Sequence, residues 1–267
     1  MSSGFSIVTP TLNAAEYLAE CLDSVQAQGL PELEQLVVDG GSVDATATIA
    51  RARPQVRWID LPRSNQSRAI NHGFRLARFD LIGWLNCDDT YRPGALAAVA
   101  ACFADDPTLD VLVGDCDGVD AQSRPLWQIR PGAYDFQRLL RTGNYLAQPS
   151  IFFHRRVFER VGYLDETLEF GMDFEYWLRL RDCRVRYLPR TLATFRWHDR
   201  SKCATNPAGE WRDDLAIIRR YGGGWTPQLG WAFTRCLITI AKDGVVRRLS
   251  SASERQRRSA ETARAGS

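Results

Sequence analysis

Several signatures are missing from this chain, and each absence removes a class of function. Its seven cysteines stand at positions 21, 87, 102, 116, 183, 203 and 236, and no two form a C-x-x-C pair. An odd, scattered set argues against a zinc ribbon or a disulfide framework and for buried thiols in a reducing cytoplasm. No run of 18 apolar residues occurs, so no spanning helix is expected. Met1 to Gly4 is short and polar and leads straight into a strand-like run, so no signal peptide is expected. G-x-G-x-x-G and G-x-x-x-x-G-K-[ST] are absent, which speaks against dinucleotide and P-loop sites. So are H-E-x-x-H and G-x-S-x-G, and no Ser-His-Asp triad suggests itself. The net charge is only +2, so no global field draws the chain to nucleic acid. Only the tail is strongly basic, through Arg247, Arg248, Arg255, Arg257, Arg258 and Arg264.

What is present is a strand–helix alternation. With 267 residues and 45% hydrophobic content the chain can build one large core, or one domain with a small appendage. Phe5–Val8 reads as a buried strand, after which Asn13 and Glu16 suggest a capping box. Leu18, Cys21, Leu22 and Val25 then give a helix one apolar face, ended by Gly29 and Pro31. Strands are expected at 36–38, 56–61, 81–85 and 109–113, with helices at 44–53, 67–78 and 93–103 between them. The second half is less regular. Strand patterns occur at 127–129, 150–153 and 185–188, and helical patterns at 173–181 and 208–221, the last stopped by Gly222-Gly223-Gly224. Such alternation predicts an α/β fold with a mostly parallel sheet flanked by helices. Ligands of such sheets sit at the carboxyl ends of the strands. The polar clusters Thr9–Asn13, Asp39–Ser42 and Asn86–Asp89 each follow a strand, so they should converge on one crevice.

Each candidate residue has a chemical and a structural reading. Asp88 and Asp89 are adjacent carboxylates that repel unless a cation neutralises them, and oxygen ligands in small number suit Mg²⁺ or Mn²⁺. Asp-Asp-Thr is equally good turn chemistry. Asp39-Gly40-Gly41-Ser42 lets backbone approach a ligand, or simply turns the chain. Asp173 and Glu175 lie two apart on a helical pattern and cannot face the same way. Asp173 is placed to cap the helix or to act as a general base. His198, one of three histidines, sits in the most cationic setting and could bind metal or phosphate, or lie in a surface loop. His72 and His154 read as surface or packing residues.

Taken in order, Thr9-Pro10-Thr11-Leu12-Asn13, Val38 to Thr46, Asn65 to Gly73, Gly83 to Asp89, Gln148-Pro149-Ser150, the Asp173 segment and Phe195 to Lys202 resemble the family 2 glycosyltransferases of the GT-A fold. The resemblance spans about residues 5–205 and is nearest to bacterial enzymes of cell-surface polysaccharide synthesis. It implies that Thr9, Pro10, Thr11, Asn13, Asp39 and Gly40 hold the nucleotide, with Arg68 and Asn86 nearby. It implies Asp88 at the ribose, Asp89 and His198 at a Mg²⁺ or Mn²⁺ ion, and Ser201 and Lys202 over the diphosphate. Asp173 would be the base, and Gln148 and Trp177 would meet the acceptor. Asn86-Cys87-Asp88-Asp89 departs from a plain Asp-x-Asp. The implied reaction moves a hexose from a nucleotide diphosphate, UDP favoured and dTDP open, to a glycan or lipid-linked acceptor with inversion. Asp173 would take the acceptor proton while cationic charge meets the leaving diphosphate.

By the same resemblance, residues 1–224 form the catalytic domain, its nucleotide half about 1–115 and its acceptor half about 116–224. Residues 225–267 form a helical extension and a disordered basic tail. The stretch 225–249 mixes Trp225, Trp231, Phe233, Leu237, Ile238 and Ile240 with Lys242, Arg247 and Arg248. It suits an inner membrane face, the catalytic domain or a second subunit of a homodimer. Two other readings compete. A sugar-phosphate nucleotidyltransferase would resemble its family in a basic Gly-rich start, whereas residues 1–20 hold no Lys or Arg. An inactive sugar-nucleotide-binding partner would be expected to have lost Asp89 or Asp173, and both are present.

Overall fold

The computed structural model describes residues 4–231 together with Thr234. The strands are β1 Phe5–Thr11, β2 Leu33–Asp39, β3 Val56–Asp60, β4 Leu81–Trp84, β5 Thr90–Tyr91, β6 Val111–Val119, β7 Pro125–Ile129, β8 Ile151–His154 and β9 Val185–Arg196. The helices are α1 Leu18–Gln26, α2 Thr46–Arg51, α3 Gln66–Leu76, α4 Ala95–Asp105, α5 Phe136–Thr142, α6 Arg156–Val161, α7 Met172–Arg179, α8 Lys202–Thr205 and α9 Pro207–Arg220.

One sheet runs β3-β2-β1-β4-β8-β6-β9-β5, with β7 paired to β6. The first four strands are parallel, because α1, α2 and α3 return the chain across the sheet between them. All seven residues of β1 are buried, as expected of a strand covered on both faces. Antiparallel β8 then links β4 to β6, and β6 runs parallel to β9. This is the GT-A fold that the sequence predicted.

Three apolar clusters fix the helices. Residues of α3, α5, α6, α7 and α9 join one core, α1 and α4 a second, and α1 packs on α2 in a third. The apolar face of α1 is the predicted one, since Leu18, Cys21, Leu22 and Val25 are all buried. Its start is not. Asn13 lies at φ 51° and caps nothing; the helix begins after Tyr17 with no side-chain cap. Asn13 serves the neighbouring loop instead, accepting from the Val43 N–H at 2.9 Å and donating its own N–H to Ser42 Oγ at 2.8 Å. β6 and β9 run well past their apolar cores, because pairing with each other carries them through Gly114, Asp115 and Pro189 with register shifts.

The expected extension over 225–267 falls outside the described residues beyond 231, Thr234 apart. Its first turn packs on the domain, with Leu229 fully buried and Thr226 Oγ1 donating to the Arg141 carbonyl at 2.6 Å. Among the described residues no helix is long and apolar enough to cross a membrane.

α3 lies tight against β1 at Gly73. A Cβ there would stand 2.4 Å from Val8 Cγ1 of β1. Gly73→Ala should therefore destabilise the chain by about 1–3 kcal/mol through overpacking, despite alanine's better helix propensity. Urea unfolding checks this; an unchanged or raised midpoint would show that the helix shifts freely on the sheet.

Candidate functional site

The carboxyl ends of β1, β2 and β4 share one edge, with Thr11 paired to Asp39. The loops that follow lace together through the polar residues singled out in the sequence. Asp39 is buried and accepts four hydrogen bonds, from Gly41 N at 3.0 Å, Ser42 N at 2.8 Å, Ser42 Oγ at 2.5 Å and Thr11 Oγ1 at 3.1 Å. A carboxylate has about four acceptor sites, so a nucleobase N–H reaches Asp39 only by displacing one of these donors. Gly40 closes the β1–β2 edge, donating to the Thr11 carbonyl and accepting from Arg63 N. Thr9 is fully buried and takes the Gln35 amide, while Pro10 is buried beside it. Arg68 is exposed on the first turn of α3 and forms no ion pair among the described residues.

After β4 the chain delivers two carboxylates with different surroundings. Asp88 Oδ2 lies 3.0 Å from His198 Nε2. Tyr17 backs the imidazole, with ring centroids 4.8 Å apart. Asp89 is only 1% exposed. Its Oδ1 accepts the Arg196 backbone N–H at 2.9 Å, and its Oδ2 is buried with no hydrogen-bond partner. Burial, then repulsion from Asp88, pushes the Asp89 carboxyl well above the usual range. A buried carboxylate oxygen without a donor costs about 1–3 kcal/mol, the situation that a nearby cation relieves. Among the described residues no three His, Cys, Asp or Glu side chains gather into a closed metal site. The donor set on offer is a carboxylate and an imidazole, with a second carboxylate behind. At 3.0 Å Asp88 and His198 are hydrogen-bonded to each other, and these two side chains are the ones that would hold a divalent cation here.

Asn86 is the joint between these parts. Its Oδ1 accepts from Gln66 Nε2 of α3 and Trp84 Nε1, and its Nδ2 donates to Gln148 Oε1. Gln148 is buried and also donates to the Trp84 carbonyl, so its amide braces the end of β4. Ser201 is likewise inward, accepting the His198 backbone N–H at 3.1 Å and fixing that turn. Lys202 Nζ donates to the Glu169 carbonyl and lies 5.1 Å from the Phe170 ring centroid.

Asp173 opens α7, half-buried, with Oδ2 accepting from Asn144 Nδ2 at 2.9 Å. Burial raises its carboxyl above the usual range, while the Phe174 N–H, Asn144 and Lys202 work against the rise. Glu175 faces the other way, as expected, 2% exposed and bound to Arg179 at 2.8 Å and Tyr221 at 2.5 Å. Trp177 requires a correction. It is fully buried and stacks on Phe153 with centroids 6.0 Å apart, so it has no surface to offer an acceptor. On a helix four residues separate positions of one face, and at Trp177 that face turns into the core.

Sequence reasoning passed over Arg196, Tyr17, Glu20 and Asn144. Arg196 is 1% exposed and contacts Asp88, Asp89, Glu20 and Ser123 at once. A buried arginine leaves no periodic trace, and its partners lie 73 or more residues away in the chain. Only its place two residues before His198 hinted at it.

Comparison with known proteins places the chain in a family and a fold. Residues 6–162 match the family model described as glycosyl transferase family 2. The O-antigen biosynthesis protein RfbC of Myxococcus xanthus is 35% identical over 191 residues, which cover 66% of this chain and 14% of that protein. A PGL/p-HBAD biosynthesis glycosyltransferase of Mycobacterium bovis is 37% identical over 164 residues, 59% of this chain and 62% of the relative. The chain thus spans less than two thirds of the length of these relatives. Among solved structures, S. aureus TarS 1–349 in complex with UDP-GlcNAc aligns with a TM-score of 0.66 at 20% identity, covering 82% of this chain and 66% of the other. That likeness speaks for the fold. With more than half of its residues matched by the family model, the chain belongs to glycosyltransferase family 2.

Proposed function

We propose that the chain transfers a hexose from a nucleotide diphosphate, UDP favoured, to a glycan or lipid-linked acceptor in polysaccharide or glycolipid synthesis, inverting the anomeric carbon. The observation that carries this reading is the Asp88–His198 pair at 3.0 Å, backed by a buried Asp89 oxygen with no partner, at the carboxyl edge of a parallel sheet. Family membership supports the reaction class, and the nucleotide sugar named for TarS supports the donor class.

The residues suggest a revised division of labour. Asp88 and His198 would hold a Mg²⁺ or Mn²⁺ ion, and Asp89 would add charge from behind, a change from the resemblance, which put Asp89 on the metal. When bound, the ion supplies positive charge to the leaving diphosphate. Thr11, Asn13 and Asp39 shape the loops that receive the nucleoside, and exposed Arg68 flanks them. Gln148 and Ser201 support these parts from within, and Asn144 replaces Trp177 on the acceptor side. Asp173 accepts the acceptor proton, oriented by Asn144. A retaining double displacement needs a free carboxylate beneath the sugar. Glu175, the nearby candidate, is spent on Arg179 and Tyr221, which favours one direct displacement.

A thermal-shift panel of UDP, dTDP, GDP and CDP, each with Mn²⁺ and with EDTA, tests the donor reading. A diphosphate at 100 times its dissociation constant should add about 2.7 kcal/mol, and only with metal. If none of the four stabilises the chain, the transferase reading fails.

The same assay separates the two aspartates. Asp88→Asn and His198→Ala should each abolish the metal-dependent part of the shift. Should Asp89→Asn abolish it while Asp88→Asn keeps it, the ion belongs to Asp89 and the revised assignment is wrong.

Asp173→Asn should lower kcat by about 10²–10⁴ with little change in donor KM, since only proton transfer is lost. Full turnover would remove Asp173 from the chemistry. The protonated base is inactive, so the rate should fall with decreasing pH at a midpoint above the usual carboxylate range. Lys202 of α8 favours the ionised form of Asp173, while Asp214 of α9, which Glu210 also faces, repels it. Asn144→Ala removes a donor to the ionised form and should move that midpoint further up. A downward move in the pH–rate profile would contradict this.

A further inference from the structure

A cavity opens beside Arg196, lined by its partners Glu20 and Ser123 and by none of the residues assigned above to the nucleotide crevice. Its volume is about 420 Å³, within the range of small-molecule sites. The β6–β7 hairpin forms one wall, and Glu20, Thr90, Arg92 and Thr194 form much of the rest.

Three features of this cavity are built rather than incidental. Trp127 on β7 pairs with Gly118 on β6, and a Cβ at Gly118 would stand 2.3 Å from the indole Nε1 and Cε2. The ring therefore rests against glycine backbone, held by Trp197 edge-on at 6.1 Å, and keeps 40% of its surface exposed. Asp117 is the second feature. Its Oδ2 accepts from Arg92 at 3.0 Å, while its Oδ1 is buried without a hydrogen-bond partner. The third is charge balance. Glu20, Asp117 and Arg92 line the cavity, the buried Arg196 pairs with Glu20 behind it, and Arg130 Nη1 lies 3.5 Å from Asp117 Oδ1. Each carboxylate is thus already paired with a guanidinium, so the walls offer no unpaired cation to phosphate and no unpaired carboxylate to a metal.

We propose that this cavity is a carbohydrate subsite that takes one or two neutral pyranose rings, separate from the nucleotide crevice. A pyranose has an apolar C–H face for the indole, and hydroxyls that both donate and accept. One hydroxyl donates to the Asp117 carboxylate, whose Oδ1 has no hydrogen-bond donor and only the Arg130 guanidinium at 3.5 Å. Others accept from Arg92 or the Gln128 amide. Glu20 and Ser123 line the cavity and also hold Arg196, whose Nε and backbone N–H hold Asp88 and Asp89. An occupied cavity therefore shares one buried wall with the proposed cation pair. That the sugar belongs to the acceptor glycan rests on the transferase reading; the cavity's chemistry does not.

The test is equilibrium binding of two probes, maltotriose and chitotriose, to the full chain without nucleotide or metal, by calorimetry and by saturation-transfer NMR. At least one trisaccharide should bind with a millimolar dissociation constant. Trp127→Ala should weaken it about tenfold and Asp117→Asn measurably, while Trp127→Phe, which keeps an aromatic face, should stay within about threefold. No binding of either probe at about 20 mM, or binding indifferent to both Trp127→Ala and Asp117→Asn, overturns the subsite. If nucleotides fail to stabilise the chain while trisaccharide binding still depends on Trp127, the transferase reading falls and the subsite stands. The reverse pattern removes the subsite alone.

Discussion

The site hangs on one buried guanidinium. Arg196 ends β9, the strand parallel to β6, and is 1% exposed. Burying an arginine is costly unless every donor is met and the charge is paired. Here Nη2 pairs with Glu20 at 2.6 Å, Nε donates to the Asp88 carbonyl, and Nη1 reaches Ser123 Oγ and the carbonyls of Asp120 and Ala121. Tyr17 covers the group, 4.9 Å from its ring centroid. Four segments distant in sequence are thereby held in one arrangement: α1, the turn after β4, the β6–β7 turn and β9. Truncating such a group would take the donors from the Asp88, Asp120 and Ala121 carbonyls and leave Glu20 only its Ser123 contact, so the arrangement tolerates little variation.

That constraint explains why a short stretch after β4 can carry two carboxylates of opposite character. The turn Asn86–Asp89 is pinned at both ends, by Asn86 through Gln66, Trp84 and Gln148 and by Asp89 through Arg196. Between these anchors Asp88 projects towards His198. His198 in turn follows Arg196 by two residues, so β9 sets the imidazole and the guanidinium together. The polar crevice is thus less a set of loops than a continuation of the sheet's own order, with β1, β2 and β4 supplying one side and β9 the other.

Much of this was legible in the sequence for physical reasons. Buried parallel strands are short apolar runs, and helices between them show one apolar stripe, so β1 to β4 and α1 to α4 could be placed within a few residues. The functional clusters were legible because parallel order forces every strand's carboxyl end to one edge. Less was legible where tertiary pairing overrides local preference. Gly114, Asp115 and Pro189 are poor strand residues, yet β6 and β9 run through them because each completes the other's ladder. Asn13 looked like a helix cap because its side chain competes for backbone N–H groups, and it does so, but for Val43 of the neighbouring loop. The resemblance placed Trp177 at the acceptor, and only packing reveals that its side chain faces Phe153.

The case of Asp88 and Asp89 shows how far residue type alone can go. A carboxylate doublet states that charge is concentrated after a strand; it does not state which member meets solvent. In extended or turning backbone, successive side chains point to different sides, so two adjacent carboxylates seldom serve one ion equally. Here Asp89 received the buried side, its Oδ1 committed to the β9 backbone. Its remaining charge is expensive to keep in the interior, and burial pushes the carboxyl well above its usual range. Asp88, less buried and facing an imidazole, is the member that would reach an ion under the proposed reading. Desolvation behind and ligation in front are complementary demands, and a doublet satisfies both only because its two members are held on opposite sides of one rigid turn.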